Sequence, residues 1–241
     1  MANKINSKKG VSHLEIILSF IIFLGFLIFL LAIFRPTSFS KDTDSDLNIL
    51  EESIQSQIST PLAFITLNLN DDVEIQECFF INYELDIINN VIVKNKDGNI
   101  VNAETDEENK RIYIDSSNEK FFYLYFSEKL EEKEFIKDSC IEIDSSNYHL
   151  GLYRNYNLTS YEKLEDLREE YNNDYENLKN QLGVPTTKEF AFVVRETLGN
   201  DIIVARKRTE GPVNIISRDV TIQILYNNGT FGYGILNIQT W

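Results

Sequence analysis

Residues 16–34 read IILSFIIFLGFLIFLLAIF, with no charge and with Ser19 as the one polar side chain. At ~1.5 Å of rise per residue they reach roughly 28 Å as a helix, close to a bilayer core of ~30 Å. The stretch predicts a transmembrane helix. A buried helix of a soluble protein is the competing reading, but such helices are rarely apolar all round. Lys4, Lys8 and Lys9 precede the span with no acid among the first ten residues. Arg35, Asp42, Asp44, Asp46, Glu51 and Glu52 follow it. This asymmetry keeps the N-terminus in the cytoplasm and sends the C-terminal part across the membrane. The span exceeds an ordinary signal core, and after Ala32 the residues Ile33, Phe34, Arg35 and Pro36 offer no small-x-small cleavage site.

Another cleavage pattern fits the residues ahead of the span. Lys8, Lys9 and Gly10 are followed by Val11, Ser12, His13, Leu14 and Glu15, then by the apolar run. This resembles the class III signal of type IV prepilins, especially archaeal pilins and archaellins. The resemblance covers about a tenth of the chain. It implies that a prepilin peptidase cuts between Gly10 and Val11, with Lys8 and Lys9 as the basic pair of the leader. It also implies that the hydrophobic segment stays as a filament core and that Glu15, fifth after the cut, serves subunit assembly. The implied location is the cell membrane with a single pass, and the cell surface where a filament forms. Removing Lys4, Lys8 and Lys9 takes the formal charge from −15 to −18. The same residues carry physical weight of their own. A carboxylate at the head of an apolar helix is costly unless paired. Ser12, Glu15 and Ser19 share one helix face, which prefers protein to lipid. A new ammonium on Val11 can neutralise the Glu15 of a neighbouring helix. Alternatively, Glu15 sits at the head-group boundary of an uncut signal anchor.

Beyond the span the pattern changes. Pro36 ends the first helix or kinks it, whereas many pilins carry one unbroken N-terminal helix. Leu47, Leu50, Ile54 and Ile58 predict a second helix over 45–59, capped by Asp44 or Ser45. From 62 to 156 come short β-branched and aromatic runs: 62–69, 78–85, 91–94, 100–103, 111–115, 121–126, 140–143 and 149–153. Asp97-Gly98 predicts a two-residue hairpin turn, and the spacing near ten residues suggests a β-sandwich. Residues 128–134 are acidic and predict a solvated loop or short helix. Residues 159–182 predict one long amphipathic helix, with Thr159 and Glu162 as a capping box. Leu164, Leu167, Tyr171, Tyr175, Leu178 and Leu182 fall on one face, and Gly183 and Pro185 end it. Strands return at 190–195, 202–207, 213–217, 220–226 and 232–241, with a hairpin at Asn227-Asn228-Gly229-Thr230.

The expected fold class is therefore α+β: a single N-terminal transmembrane helix, then a β-sandwich-rich extracellular region with one long amphipathic helix. The expected organisation is a leader over 1–10, the span over 11–35 and a linker with a short helix over 36–60. A sandwich-like region over 61–157, the amphipathic helix over 158–184 and a C-terminal β region over 185–241, packed on the sandwich, complete it.

Composition limits the chemistry. The 241 residues hold 38 Asp and Glu against 23 Lys and Arg, a surface that repels phosphate backbones, so nucleic acid is not an expected partner. Two His and two Cys leave no multi-His metal centre. Cys78 and Cys140 predict a disulfide in an oxidising exterior. Asn157-Leu158-Thr159 and Asn228-Gly229-Thr230 match glycosylation sequons. Asp42, Asp44 and Asp46 alternate like calcium-loop ligands, but Leu47 stands where the loop needs Gly and Ser53 where it needs Glu. His149 lies near Asp144 and Ser146 without a catalytic constellation, so no enzyme and no cofactor is expected. The expected partners are the membrane, a prepilin peptidase and like subunits through the N-terminal helix. The function so implied is a pilin-like structural subunit of a surface filament or pseudopilus. The alternative is a non-polymerising, signal-anchored surface protein acting as an adhesin or binding module.

Overall fold

A computed structural model describes residues 9–33, 39–74, 77–83, 90–106, 108–115, 119–131, 140–197, 199–207 and 214–241. Residues 9–14, 31–33 and 39–44 are described by backbone alone. Lys8, Pro36, Val213 and residues 132–134 of the acidic stretch lie outside the described residues. The chain divides into two compact units, Met1–Ser45 and Asp46–Trp241.

The first unit contains helix α1 (Lys9–Ile33), in which Lys9, Gly10 and Val11 form the opening turn. Its described side chains, residues 15–30, include Glu15 and are nearly all exposed. Among the described residues no helix is long and apolar enough to cross a membrane.

Helix α2 (Phe39–Ile58) crosses the unit boundary. It begins six residues earlier than expected, so neither Asp44 nor Ser45 caps it, and the Asp42–Asp46 acids lie inside it. Leu47, Leu50, Ile54 and Ile58, at most 2% exposed, form its buried stripe as their spacing predicts.

The second unit is built on one nine-stranded sheet. Its strands are β1 (Ser59–Leu69), β3 (Val91–Asn95), β4 (Ile100–Val101), β7 (Phe121–Phe126), β9 (Tyr148–Ser160), β10 (Phe190–Glu196), β11 (Asp201–Ala205), β12 (Ile216–Leu225) and β13 (Phe231–Thr240). The order across the sheet is β11-β10-β13-β12-β9-β1-β7-β3-β4. A second sheet, β5-β6-β2-β8, contains β2 (Cys78–Asn82), β5 (Ala103–Asp106), β6 (Arg111–Asp115) and β8 (Ile141–Glu142). The molecule is thus mixed and β-rich. The expected strand at 100–103 is in fact two, β4 in the large sheet and β5 in the small one. The expected pair at 213–217 and 220–226 is one strand, β12, which runs unbroken through Arg218 and Asp219; Arg218 reaches Glu51 of α2 at 2.9 Å.

The large sheet has one face under two covers. At one end the small sheet packs Phe79, Ile81, Ile112 and Ile114 onto Ile65, Leu67, Val93, Phe122 and Leu124. In this half two sheets face each other across a shared core. At the other end α2, α3 (Tyr161–Asn173) and α4 (Tyr175–Gln181) pack Ile54, Leu164, Leu167 and Leu178 onto Phe190, Phe192, Ile224 and Leu236. The register sets Ser59, Thr159 and Ile224 in line across the sheet. Ser59 shares its side of β1 with Ile65 and Leu67, so both covers lie on the same face. The C-terminal strands extend the sheet sideways, joined through the parallel pairs Ile224–Thr159 and Leu225–Ser160.

The long amphipathic helix is two helices. Asp174 leaves the helical region (φ −142°, ψ 56°) between α3 and α4. The run Asn172-Asn173-Asp174 favours turns over helix, and it lets Tyr175 turn in toward β10. All six expected stripe residues are buried. The N-cap is Ser160 rather than Thr159: Ser160 Oγ accepts from Lys163 N at 3.3 Å, while Thr159 is held in the β9 ladder. Gly183, at φ +71°, ends the pair as expected.

Three hairpins share one geometry. Asn95 N donates to Asn99 O, Glu196 N to Asn200 O and Tyr226 N to Thr230 O, at 2.8–3.1 Å. Gly98, Gly199 and Gly229 stand last in these three-residue loops with φ of +74° to +92°. Asp97-Gly98 is therefore part of a three-residue loop, not a two-residue turn. The left-handed glycine makes the bulge that restores strand pairing.

Candidate functional site

Strand β7 reads FFYLYF and is aromatic toward both sides. Phe122, Leu124 and Phe126 point into the core, and Phe121, Tyr123 and Tyr125 to the uncovered face. The β1 register sets Phe64 opposite Tyr125. The outcome is a chain of rings. Phe121 meets Tyr123 edge-on at 5.0 Å, and Tyr123 stacks with Phe64 at 5.9 Å. Phe64 meets Tyr125 at 5.2 Å, and Tyr125 meets Phe231 of β13 at 5.5 Å. Such separations are those of favourable ring pairs.

These rings border a cleft of about 240 Å³ lined by Leu62, Phe64, Tyr125, Tyr156, Leu158, Gln223 and Phe231. Leu62 and Leu158 of its lining belong to a small buried cluster with Ile92, Leu130 and Leu225. Lys94 Nζ lies 5.2 Å from the Tyr125 ring centroid and 5.0 Å from that of Phe231, and donates to Gly229 O at 2.7 Å. Burial holds the Lys94 ammonium below its ordinary pKa and pushes the Tyr125 hydroxyl up, with Tyr123 and Tyr156 adding to the latter. Among the described residues no carboxylate lines the cleft. The arrangement can hold a flat or ring-shaped apolar group by stacking, with the Gln223 amide as a polar handle. A second cavity, about 270 Å³, lies between Val91, Ile92, Ile100, Val101, Ala103, Glu131 and Asn228.

Cys78 and Cys140 are bonded to each other. The bond ties the start of β2 to the residue before β8, which has two ladder pairs with β2. Asn157 is exposed on β9. Asn228 is exposed in its turn, and its Oδ1 accepts from Thr230 N at 3.0 Å and Thr230 Oγ1 at 2.7 Å. His149 is an exposed strand residue. Asp144 accepts from Ser146 N and Oγ, at 2.9 and 2.8 Å. The backbone bond, then the hydroxyl bond, hold its carboxyl below the usual range. These contacts close a single 3₁₀ turn and form no catalytic set. Glu15 is exposed on α1. Among the described residues no group of three His, Cys, Asp or Glu gathers as metal ligands would.

Sequence reasoning missed the cleft. Its signal was present in the aromatic-rich run 121–126, whose five rings fall on both faces of one strand and cannot all be buried under a single cover. No family model matches the chain, and no curated protein or solved structure is found to be similar to it.

Proposed function

We propose that the chain is a pilin-like structural subunit of a cell-surface filament or pseudopilus, inserted in the membrane by its N-terminal helix and presenting the acidic β-rich unit outside. One observation carries the reading. The large apolar side chains of α1 from Ile16 to Phe29 are 40–64% exposed, a sleeve of Ile, Leu and Phe that water does not tolerate uncovered. Lipid or the helices of like subunits can cover it. Lys8, Lys9, Gly10, Val11 and Glu15 stand ahead of this sleeve in the order of a class III signal. The Cys78–Cys140 disulfide agrees with an exterior location for the second unit.

The test is the N-terminal residue of the membrane-associated protein, co-expressed with a prepilin peptidase beside a Gly10→Val control. A chain beginning at Val11 in the wild type alone is expected, and Glu15→Ala in the cleaved protein then abolishes filaments. A chain beginning at Met1 or Ala2 in both sinks the prepilin reading. The second reading, a signal-anchored adhesin or binding module that does not polymerise, is favoured by the aromatic cleft, which a purely structural subunit does not require.

A further inference from the structure

Two strands of the large sheet are paired on one side and largely bare on the other. Strand β9 pairs with β1, and its register runs unbroken from Thr159 opposite Ser59 to Tyr153 opposite Ile65 before it shifts. Strand β12 pairs with β13 from Ile216 to Leu225. The two bare sides meet each other only at Ile224–Thr159 and Leu225–Ser160, where β9 and β12 run parallel. Among the described residues, 153–157 of β9 and 216–222 of β12 therefore border a notch with unpaired backbone on both rims. The notch closes toward Thr159. Residues 153–157 are all exposed, and Tyr153, Tyr156 and Ile216 are 38–49% exposed. Soluble proteins blunt open edges with Lys, Pro or inward-pointing charges, and 153–157 contains neither Lys nor Pro.

Three features select the occupant. Unpaired N–H and C=O groups along a regular strand have an extended backbone as their chemical complement. A saccharide or a flat ring can fill the cleft but does not run along the edge. The aromatic cleft, in turn, lies at the closed end of the notch: Tyr156 and Leu158 of one rim and Gln223 of the other line it. Tyr156 is opposite Leu62 and Arg154 opposite Phe64, so both side chains stand on the cleft's side of β9. Charge is the third feature. Tyr148–Ser160 contains Arg154 and no carboxylate. Across the notch Arg218 donates to Glu51 at 2.9 Å, and Asp219 accepts from Asn237 at 2.6 Å. Arg154 is thus the charge that a ligand meets, and a carboxylate is its complement. A strand added to β9 turns every second side chain to the same face. The matching peptide therefore carries a bulky apolar residue for the cleft and, two positions away, an acid for Arg154. A second copy of the chain is a poorer occupant, because molecules of net charge −15 repel.

We infer that the open edge of β9 at 153–157 binds an extended peptide as an added strand, with an apolar side chain in the aromatic cleft and a carboxylate on Arg154. This gives a ligand class to the binding-module reading, on which it rests, and it does not depend on how the N-terminus is processed.

The test pans a phage-displayed library of random heptapeptides against the full chain in lipid nanodiscs, and measures affinity with synthetic copies of the enriched peptides. Enriched sequences are expected to lack Pro at the centre and to hold an acid two positions from Phe, Tyr, Leu or Ile. Two copies are N-methylated, one on odd and one on even amides. At least one of them is expected to bind ten times more weakly or worse, because the amides that bond to β9 all lie on one side of the peptide. Arg154→Glu is expected to weaken binding at least tenfold and Tyr156→Ala at least fivefold. Glu169→Lys, on the exposed side of α3, changes it less than twofold. An unchanged circular dichroism spectrum verifies that each variant folds. Binding that Tyr156→Ala weakens but N-methylation and Arg154→Glu leave alone keeps the cleft as a binding site and overturns the added strand. A library that yields no binder overturns the inference and leaves the cleft to ligands other than peptides.

Discussion

At the scale of single residues the most constrained polar group is the contact between α4 and the start of β10. Tyr175 donates to Glu189 Oε2 at 2.5 Å and accepts from Phe190 N at 3.1 Å. Lys179, 3% exposed, donates to Glu189 Oε1 and to Thr186 O, both at 3.1 Å. Tyr171 donates to Phe190 O at 2.8 Å, and burial pushes its hydroxyl up to about 12. Lys207 Nζ sits 3.3 Å from the Tyr175 ring centroid. Burial alone would raise the Glu189 carboxyl. The bonds from Tyr175 and Lys179, with the charges of Lys179 and Lys207, outweigh it and hold the group below its ordinary value. Because the folded pKa is the lower one, the stabilisation is complete above the unfolded carboxylate pKa and is lost as pH falls through the folded value. Glu189→Gln is expected to cost about 1 kcal/mol at pH 7, discounted because the carboxylate is 42% exposed. Thermal melts of both proteins from pH 7 to 3 check it: the gap between them should close below about pH 4. The six stripe positions of α3 and α4 were legible from their spacing. This polar contact was not, since Glu189 is remote from Tyr175 in sequence and nothing local marks it.

Among elements, β8 depends most on a covalent tie. It has two residues, both exposed, and two ladder pairs with β2. The Cys78–Cys140 bond, across 62 residues, restrains the unfolded chain by about 4 kcal/mol in the chain-entropy account. Replacing both cysteines by serine should lower stability by roughly 2–4 kcal/mol. Hydrogen exchange should quicken first at Phe79, Phe80 and Ile141, and uniform exchange across the second unit would contradict this placement. Elements were readable where burial and period agree: 111–115 and 121–126 match β6 and β7 to the residue. They were misread where tertiary context decides. The cap of α3 moved one residue, from Thr159 to Ser160, whose Oγ rather than Thr159's accepts from Lys163 N. The left-handed glycine at 199 was overlooked because no Asn-Gly or Asp-Gly pair announces it.

For the molecule as a whole, the second unit has one large sheet that carries two main cores under separate covers. They meet along β9 and β12 through two ladder pairs, with the small cluster around Leu158 and Leu225 behind them. A seam this narrow couples the halves weakly. Phe122→Ala, which empties a fully buried site in the sandwich half, is expected to cost about 3–5 kcal/mol. Exchange should then accelerate at Val91, Val93 and Leu124 far more than at Phe190, Phe192 and Leu236, and equal acceleration would mean a single cooperative unit. The sequence pattern carried the alternation of each strand and the helix between them. It could not carry which strands neighbour which, because β1 and β12 are equally good partners for β9 by composition.

That arrangement also sets an order of events at the ribosome. Strand β1 lies between β7 and β9, and both partners come later in the chain. About ninety residues separate the end of β1 from the end of β9. At ~5–20 residues per second, β1 waits roughly 5–20 s after it emerges before its second neighbour is even synthesised. Meanwhile a strand that will lie well inside the sheet has two open edges until β7 is made and one until β9 is made. The nascent chain thus carries an open β1 edge until Ser160 has left the exit tunnel.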